Sequence, residues 1–131
     1  MAKGPSFAGG RVRTGLRSML ESRAEIEASE ERRHVERSGA TAVASLTDRQ
    51  RAELFGVLRS VTLRPRAGVP ALEAELYDGT GSVRLVWLGQ RRIAGIEPGR
   101  RLRLTGFVST SADGHHVVYN PKYELAPKQG E

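Results

Sequence analysis

The stretch Leu72–Leu88 constrains this chain more than any other. Leu72, Ala74 and Leu76 alternate with Glu73, Glu75 and Tyr77, the period-two pattern of a strand that buries one face. Val83, Leu85 and Trp87 then alternate with Arg84, Val86 and Leu88, a less clean version of the same pattern. Between the runs, Asp78-Gly79-Thr80-Gly81 supplies two glycines that tolerate positive φ and a carboxylate that can accept hydrogen bonds from the turn's own backbone. The segment reads as a β-hairpin, and the rest of the chain reads as its support.

Upstream, Ala52, Leu54, Gly56 and Leu58 alternate with Glu53, Phe55, Val57 and Arg59, which predicts a long first strand. A mid-strand glycine marks a bend or a close backbone approach, so Gly56 lets that strand curl. Val61 and Leu63 continue it beyond an expected bulge at Ser60. Arg64-Pro65-Arg66-Ala67-Gly68-Val69-Pro70 is a loop. Downstream, 89–95 has room for a turn or two of helix, and Glu97-Pro98-Gly99 is a turn. A fourth strand spans 100–108, with Leu102, Leu104 and Val108 inward and Arg101, Arg103, Thr105 and Phe107 outward. After a polar loop at 109–114, the last strand runs from His115 to Tyr119, meets Pro121 and resumes through Tyr123 and Leu125.

The N-terminal third is different. Residues 1–15 are Gly-rich, basic and aperiodic, and are expected to be a flexible basic arm. Residues 16–37 read as a helix with Leu16, Met19, Leu20 and Ile26 on a thin apolar stripe, continued only by Ala28 and Val35. A helix so sparsely apolar must dock on something or pair with a copy of itself. Phe55, Val57 and Phe107, outward by parity, are the expected receiving surface. Ser38-Gly39 stops the helix, and 40–46 is a connector of small residues. The organisation is thus an arm at 1–15, a helix and connector at 16–45, a β domain at 46–126 and a tail at 127–131.

Five short strands, a glycine-bent first strand, a tight second hairpin and a helical turn before strand four predict an all-β fold, a five-stranded Greek-key barrel of the OB-fold type with an N-terminal helix. Closure removes the exposed edges that a lone sheet of this size would carry. Phe-Gly-Val-Leu at 55–58, Leu-Tyr-Asp-Gly-Thr-Gly-Ser-Val at 76–83, Val-Trp at 86–87, Glu-Pro-Gly-Arg-Arg-Leu-Arg-Leu-Thr-Gly at 97–106 and Asn-Pro-Lys-Tyr-Glu-Leu at 120–125 carry a family likeness. Over 51–126 the chain resembles the nucleic-acid-binding OB domains related to the tRNA-anticodon-binding family. The Asn-Pro-Lys-Tyr-Glu ending points towards the wedge domain of RecG-type DNA helicases. The resemblance implies aromatic residues stacking on bases at the end of the third strand; Trp87 matches the first of that pair, and Leu88 occupies the second position. No Gly-x-x-x-x-Gly-Lys-Ser/Thr loop occurs, so a binding module without a motor is expected.

Charge supports that direction. The formal net charge is +6, and arginine supplies most of the positive charge, since lysine occurs only at 3, 122 and 128. Guanidinium forks grip phosphate and stack on bases. Arg84, Arg91, Arg92, Arg100, Arg101 and Arg103 face a single acid, Glu97, between 84 and 108, a local +5. The outer face of strands two and three, with the 1–2 and 4–5 loops, forms the strand-binding groove of an OB barrel. Arg84 points to that face, and Arg64 and Arg66 lie in the 1–2 loop. The candidate nucleic-acid contacts are Arg64, Arg66, Tyr77, Arg84, Trp87, Arg91, Arg92, Arg101, Arg103, Tyr119 and Tyr123. Trp87 has two open readings, a stacking platform at the strand's end or, by parity with Val83 and Leu85, a core residue.

Other classes are disfavoured. The chain lacks cysteine, which excludes disulfides, Cys-ligated zinc and thiol nucleophiles. Adjacent His115 and His116 face opposite ways on a strand and cannot chelate one metal together. Glu73 and Glu75 share a face without a His or Asp beside them, so they read as solvated surface, and no enzyme activity or cofactor is expected. No apolar run approaches the ~20 residues that span a bilayer, and no secretory signal pattern is present, so a cytoplasmic protein is expected. Single-stranded or branched DNA is the favoured partner, with RNA equally compatible with the visible residues. The alternative is a protein-interaction module, binding a partner or dimerising through the N-terminal helix.

Overall fold

The structure, a computed structural model, describes residues 7–128, with side chains described from Gly15 onward. The expected arm lies outside the described residues at 1–6, and the remainder of it is helical: α1 spans Phe7–Ser38, beginning earlier than the apolar pattern suggests. Gly39, at φ +76°, ends it as the sequence predicts. A single 3-10 turn, Val43–Ser45, interrupts the connector.

The strands follow: β1 Arg51–Leu63, β2 Ala71–Tyr77, β3 Ser82–Leu88, β4 Arg101–Thr110, β5 His116–Tyr119 and β6 Lys122–Leu125. β1, β2, β3, β5 and β4 pair in that order, and β1 pairs β4 to close the barrel. β3 and β5 run parallel, while the other neighbours are antiparallel. β5 and β6 are the two halves of the last strand, parted at Asn120, whose φ is +50°, and Pro121, which has no ladder donor. This closed five-stranded mixed barrel with one N-terminal helix is an OB fold.

Alternation sets the core. Leu54, Leu58, Leu76, Leu85, Leu102, Leu104, Val83, Val108 and Val118 are all buried at 2% exposure or less. The bend in β1 has a visible cause: a β-carbon on Gly56 would stand 2.5 Å from the Tyr77 carbonyl oxygen. The register along β1 then shifts between Leu58 and Ser60, which makes Arg59 the extra residue of the bulge. Val86, outward by parity, is nevertheless fully buried, in a satellite cluster with Ala71 and Val117.

Two expectations fail locally. Residues 89–100 contain turns and no helix; with Gly95 and Gly99 at positive φ and Pro98 between them, the segment breaks too often to wind. Its apolar residues still serve the barrel, since Ile96 is buried in the core and Ile93 packs against it. In the 78–81 turn only Gly79 holds a positive φ, +88°, and Gly81 does not.

The turn matters for a reason beyond the hairpin. Asp78 is 1% exposed, and one of its carboxylate oxygens accepts hydrogen bonds from the Thr80 backbone N–H at 2.9 Å, the Thr80 hydroxyl at 2.6 Å and the Gly81 N–H at 3.2 Å. The other accepts from the Val43 N–H at 2.8 Å, tying the connector to the hairpin. Four donors offset the cost of burying a carboxylate.

The helix docks through its C-terminal part. Val35 is 4% exposed, Ala28 is half-buried against the turn, and Arg32 donates to the Gly79 carbonyl at 3.2 Å. Leu16, Met19, Leu20 and Ile26, expected to dock near Phe55, Val57 and Phe107, are instead exposed, and Phe107 is 53% exposed. An ion pair adds to the contact: the Arg101 guanidinium grips both Glu31 oxygens, at 2.5 and 2.9 Å.

Candidate nucleic-acid interface

A concavity lies on the outer face of β2 and β3, flanked by the far end of β1, the 1–2 loop and the residues leading into β5. It encloses about 480 Å³. Alternation builds its floor: with Leu72, Ala74, Leu76, Val83 and Leu85 facing inward, Glu73, Glu75, Ser82 and Arg84 must face out. Glu75 and Arg84 are cross-strand partners in the ladder. Arg64 and Arg66 reach over the floor from the 1–2 loop, and His115 and His116 border it from the other side.

The 1–2 loop is held in place by its own ladder and by charge. The Arg66 N–H donates to Val69 O at 2.8 Å and the Val69 N–H returns to Arg66 O at 2.9 Å, closing a small turn across Ala67, at φ +48°, and Gly68. The Arg66 guanidinium donates to Glu73 at 2.7 Å, with Arg64 a looser second partner at 3.8 Å. The Glu73 carboxylate pushes the Arg66 pKa up, so that guanidinium stays charged. Its other nitrogen reaches the Tyr119 hydroxyl at 3.5 Å, with the cation 5.8 Å from the ring centre. Arg66 therefore bridges the floor of β2 to the end of β5, and Tyr119 stands beside the groove, 43% exposed.

In the 4–5 loop, Ser111 and His115 both hydrogen-bond Asp113 and hold its carboxyl well below the usual carboxylate range, with the His115 ring at 3.0 Å. This knot shapes the loop that carries His115 to the groove edge.

The remaining candidates are distributed elsewhere. Trp87 is a core residue, 5% exposed, whose indole N–H donates to Pro121 O at 3.3 Å, so the parity reading holds and the stacking platform does not. Tyr123 meets it edge-on, ring centres 5.7 Å apart, at the barrel end under β6. Tyr77 lies beneath Arg59, whose guanidinium sits 3.4 Å from the ring centre, on the side facing the acidic helix residues Glu27, Glu30 and Glu31. Arg101 and Arg103 flank Phe55 on the helix side; Arg103 bonds Glu53 at 2.5 Å and Ser38 O at 3.0 Å. Arg91 and Arg92 are exposed in the 3–4 connection and do not line the groove.

The local +5 of the sequence is therefore not one surface. Arg84 alone of those six arginines reaches the groove, and Arg100 is spent on the Ala126 carbonyl at 3.0 Å. Sequence reasoning also missed four groove residues outright, Ser60, Thr62, His115 and His116. Ser60 and Thr62 carried a signal: both follow the bulge on β1, which reverses parity and turns their side chains outward.

No protein-family model matches the chain, and no curated protein does. Solved structures do. A RecG bound to a three-way DNA junction is 27% identical with a TM-score of 0.52 over 65% of this chain, which corresponds to 12% of that one. The HINb domain of p204 is 19% identical, TM-score 0.51, over 63% of this chain and 42% of that one. The second OB-fold domain of replication protein A from Methanococcus maripaludis is 14% identical, TM-score 0.53, over 70% of this chain and 98% of that domain. All three are OB-fold neighbours, and the chain shares that fold.

Proposed function

We propose that the protein binds single-stranded or branched DNA in a sequence-tolerant way, as a cytoplasmic binding module that performs no catalysis and carries no motor. The observation that carries this reading is the groove on β2–β3, where Arg64, Arg66 and Arg84 stand over one floor with Tyr119 beside it. The likeness to a RecG structure holding a three-way DNA junction supports DNA as the ligand.

The arrangement suits a backbone-tracking mode. Guanidiniums on the rim take phosphates, which carry no base identity, and an exposed tyrosine offers any base a face to stack on. Three arginines against Glu73 and Glu75 leave the lining at +1 before the histidines are counted, so modest affinity is expected. Arg66 must share its fork between Glu73 and an incoming phosphate.

The test is a fluorescence-anisotropy titration with single-stranded DNA, forked DNA and RNA at several salt concentrations. Two to three phosphate contacts predict a slope of about −1.4 to −2 in log K against log salt, at ~0.7 per contact for single strands. Absence of binding to every oligonucleotide at low salt defeats the proposal, and a protein-interaction module then takes its place.

A further inference from the structure

α1 carries two apolar seams on opposite sides, and the barrel uses one of them. Ala28 and Val35, seven residues apart, face the barrel. Met19 and Ile26, also seven apart, each precede one of that pair by nine residues, which is two and a half helical turns and therefore the far side. No rotation of the helix presents both seams to its own barrel. Leu16, Met19, Leu20 and Ile26 are accordingly 58%, 64%, 63% and 59% exposed. A projecting helical segment with four large apolar side chains in water and Gly15 in its interior is marginal alone.

We infer that this seam is a self-association surface, on which two copies of the chain pair their α1 helices antiparallel, centred near Glu21. Charge selects the occupant and the direction. Glu25 and Arg17, both exposed, stand four residues to either side of Glu21. Antiparallel pairing about Glu21 sets Glu25 of one copy against Arg17 of the other, twice. Parallel pairing would oppose Glu25 to Glu25 and Arg17 to Arg17, and would place Arg23, which falls on the same seam, against its own copy. In the antiparallel register Leu16 meets Ile26 of the other copy, and Met19 covers the aliphatic stem of Arg23.

The seam is short, so the dimer is weak and concentration-dependent. Each barrel stays fixed to its own 28–38 segment, so the two grooves lie at opposite ends of the helix pair. A branched or long ligand could then engage both, and the second contact would be intramolecular. The self-association itself does not depend on the nucleic-acid reading.

Sedimentation velocity on the full chain, from micromolar to submillimolar concentration, is the test. A monomer-to-dimer shift is expected, and Met19→Glu with Ile26→Glu should abolish it while leaving the melting temperature unchanged, because both side chains are exposed. Since the chain has no cysteine, direction can be read by cross-linking. Ser22→Cys, near the two-fold of the antiparallel pair, should oxidise readily to a disulfide dimer, and Leu16→Cys should not. A chain monomeric at every concentration, a dimer that survives the double substitution, or faster cross-linking through Leu16→Cys would each overturn the proposal.

Discussion

The helix-bearing face and the groove face of the barrel are both rich in arginine, and they commit it to different degrees. On the helix side, Arg101 is clasped by Glu31 and Arg103 by Glu53, with side chains 28% and 33% exposed. Each is consumed by the fold. On the groove side Glu73 holds Arg66, but Arg64 is 67% exposed and only loosely paired, and no ion pair to Arg84 exists among the described residues. A guanidinium already held by a carboxylate in a half-buried setting must be released before it can take a phosphate, whereas an exposed one need only shed water. Counting arginines along the chain thus locates basic sequence; what locates an interface is which of them the fold leaves unspent.

The sharpest blow to the helix side should come from Gly79→Val. The substituted residue would have to hold φ +88°, and its β-carbon would fall 2.3 Å from the Ala28 carbonyl oxygen, so the helix must move. A loss of about 3 kcal/mol in a denaturant titration is expected. A silent substitution would mean that α1 does not rest on the turn. Arg101→Ala is the next step down. It leaves Glu31 without its bidentate partner and should cost about 2 kcal/mol of stability while oligonucleotide affinity is unchanged. A weakened affinity at full stability would erase the distinction between the two faces. On the groove side, Tyr119→Ala removes a stacking face and a partner of Arg66, with an expected loss of about 1 kcal/mol, or roughly fivefold in affinity, and an unchanged melting curve.

The barrel was legible because strand alternation is local. Leu54, Leu76, Leu85, Leu102 and Val118 announce themselves by parity, and the hairpin by Asp78-Gly79. Parity also decides Trp87 correctly, where family likeness points outward. What could not be read were pairings between distant residues. The Glu31–Arg101 clasp joins positions 70 apart and the Asp78–Val43 bond positions 35 apart, and no periodicity encodes either. The docking of the helix escapes the apolar pattern for a related reason: its large apolar residues point away, while the barrel receives Val35, Glu31 and Arg32. The groove itself was half legible, since Arg64, Arg66 and Arg84 follow from topology, whereas His115 and His116 arrive by a loop whose path depends on the Asp113 knot.

One paired experiment tests the central claim most directly: anisotropy titrations of Arg84→Glu and Arg103→Glu against the same single-stranded oligonucleotide, with melting curves for both. Arg84→Glu faces Glu75 across the ladder, so it should cost at most about 1 kcal/mol of stability while losing about tenfold or more in affinity, because a like charge enters the groove. Arg103→Glu should lose stability, having set a carboxylate against Glu53 and Ser38 O, and bind as the wild type does while folded. The reverse, affinity lost at 103 and kept at 84, would place the interface on the helix side and contradict the account.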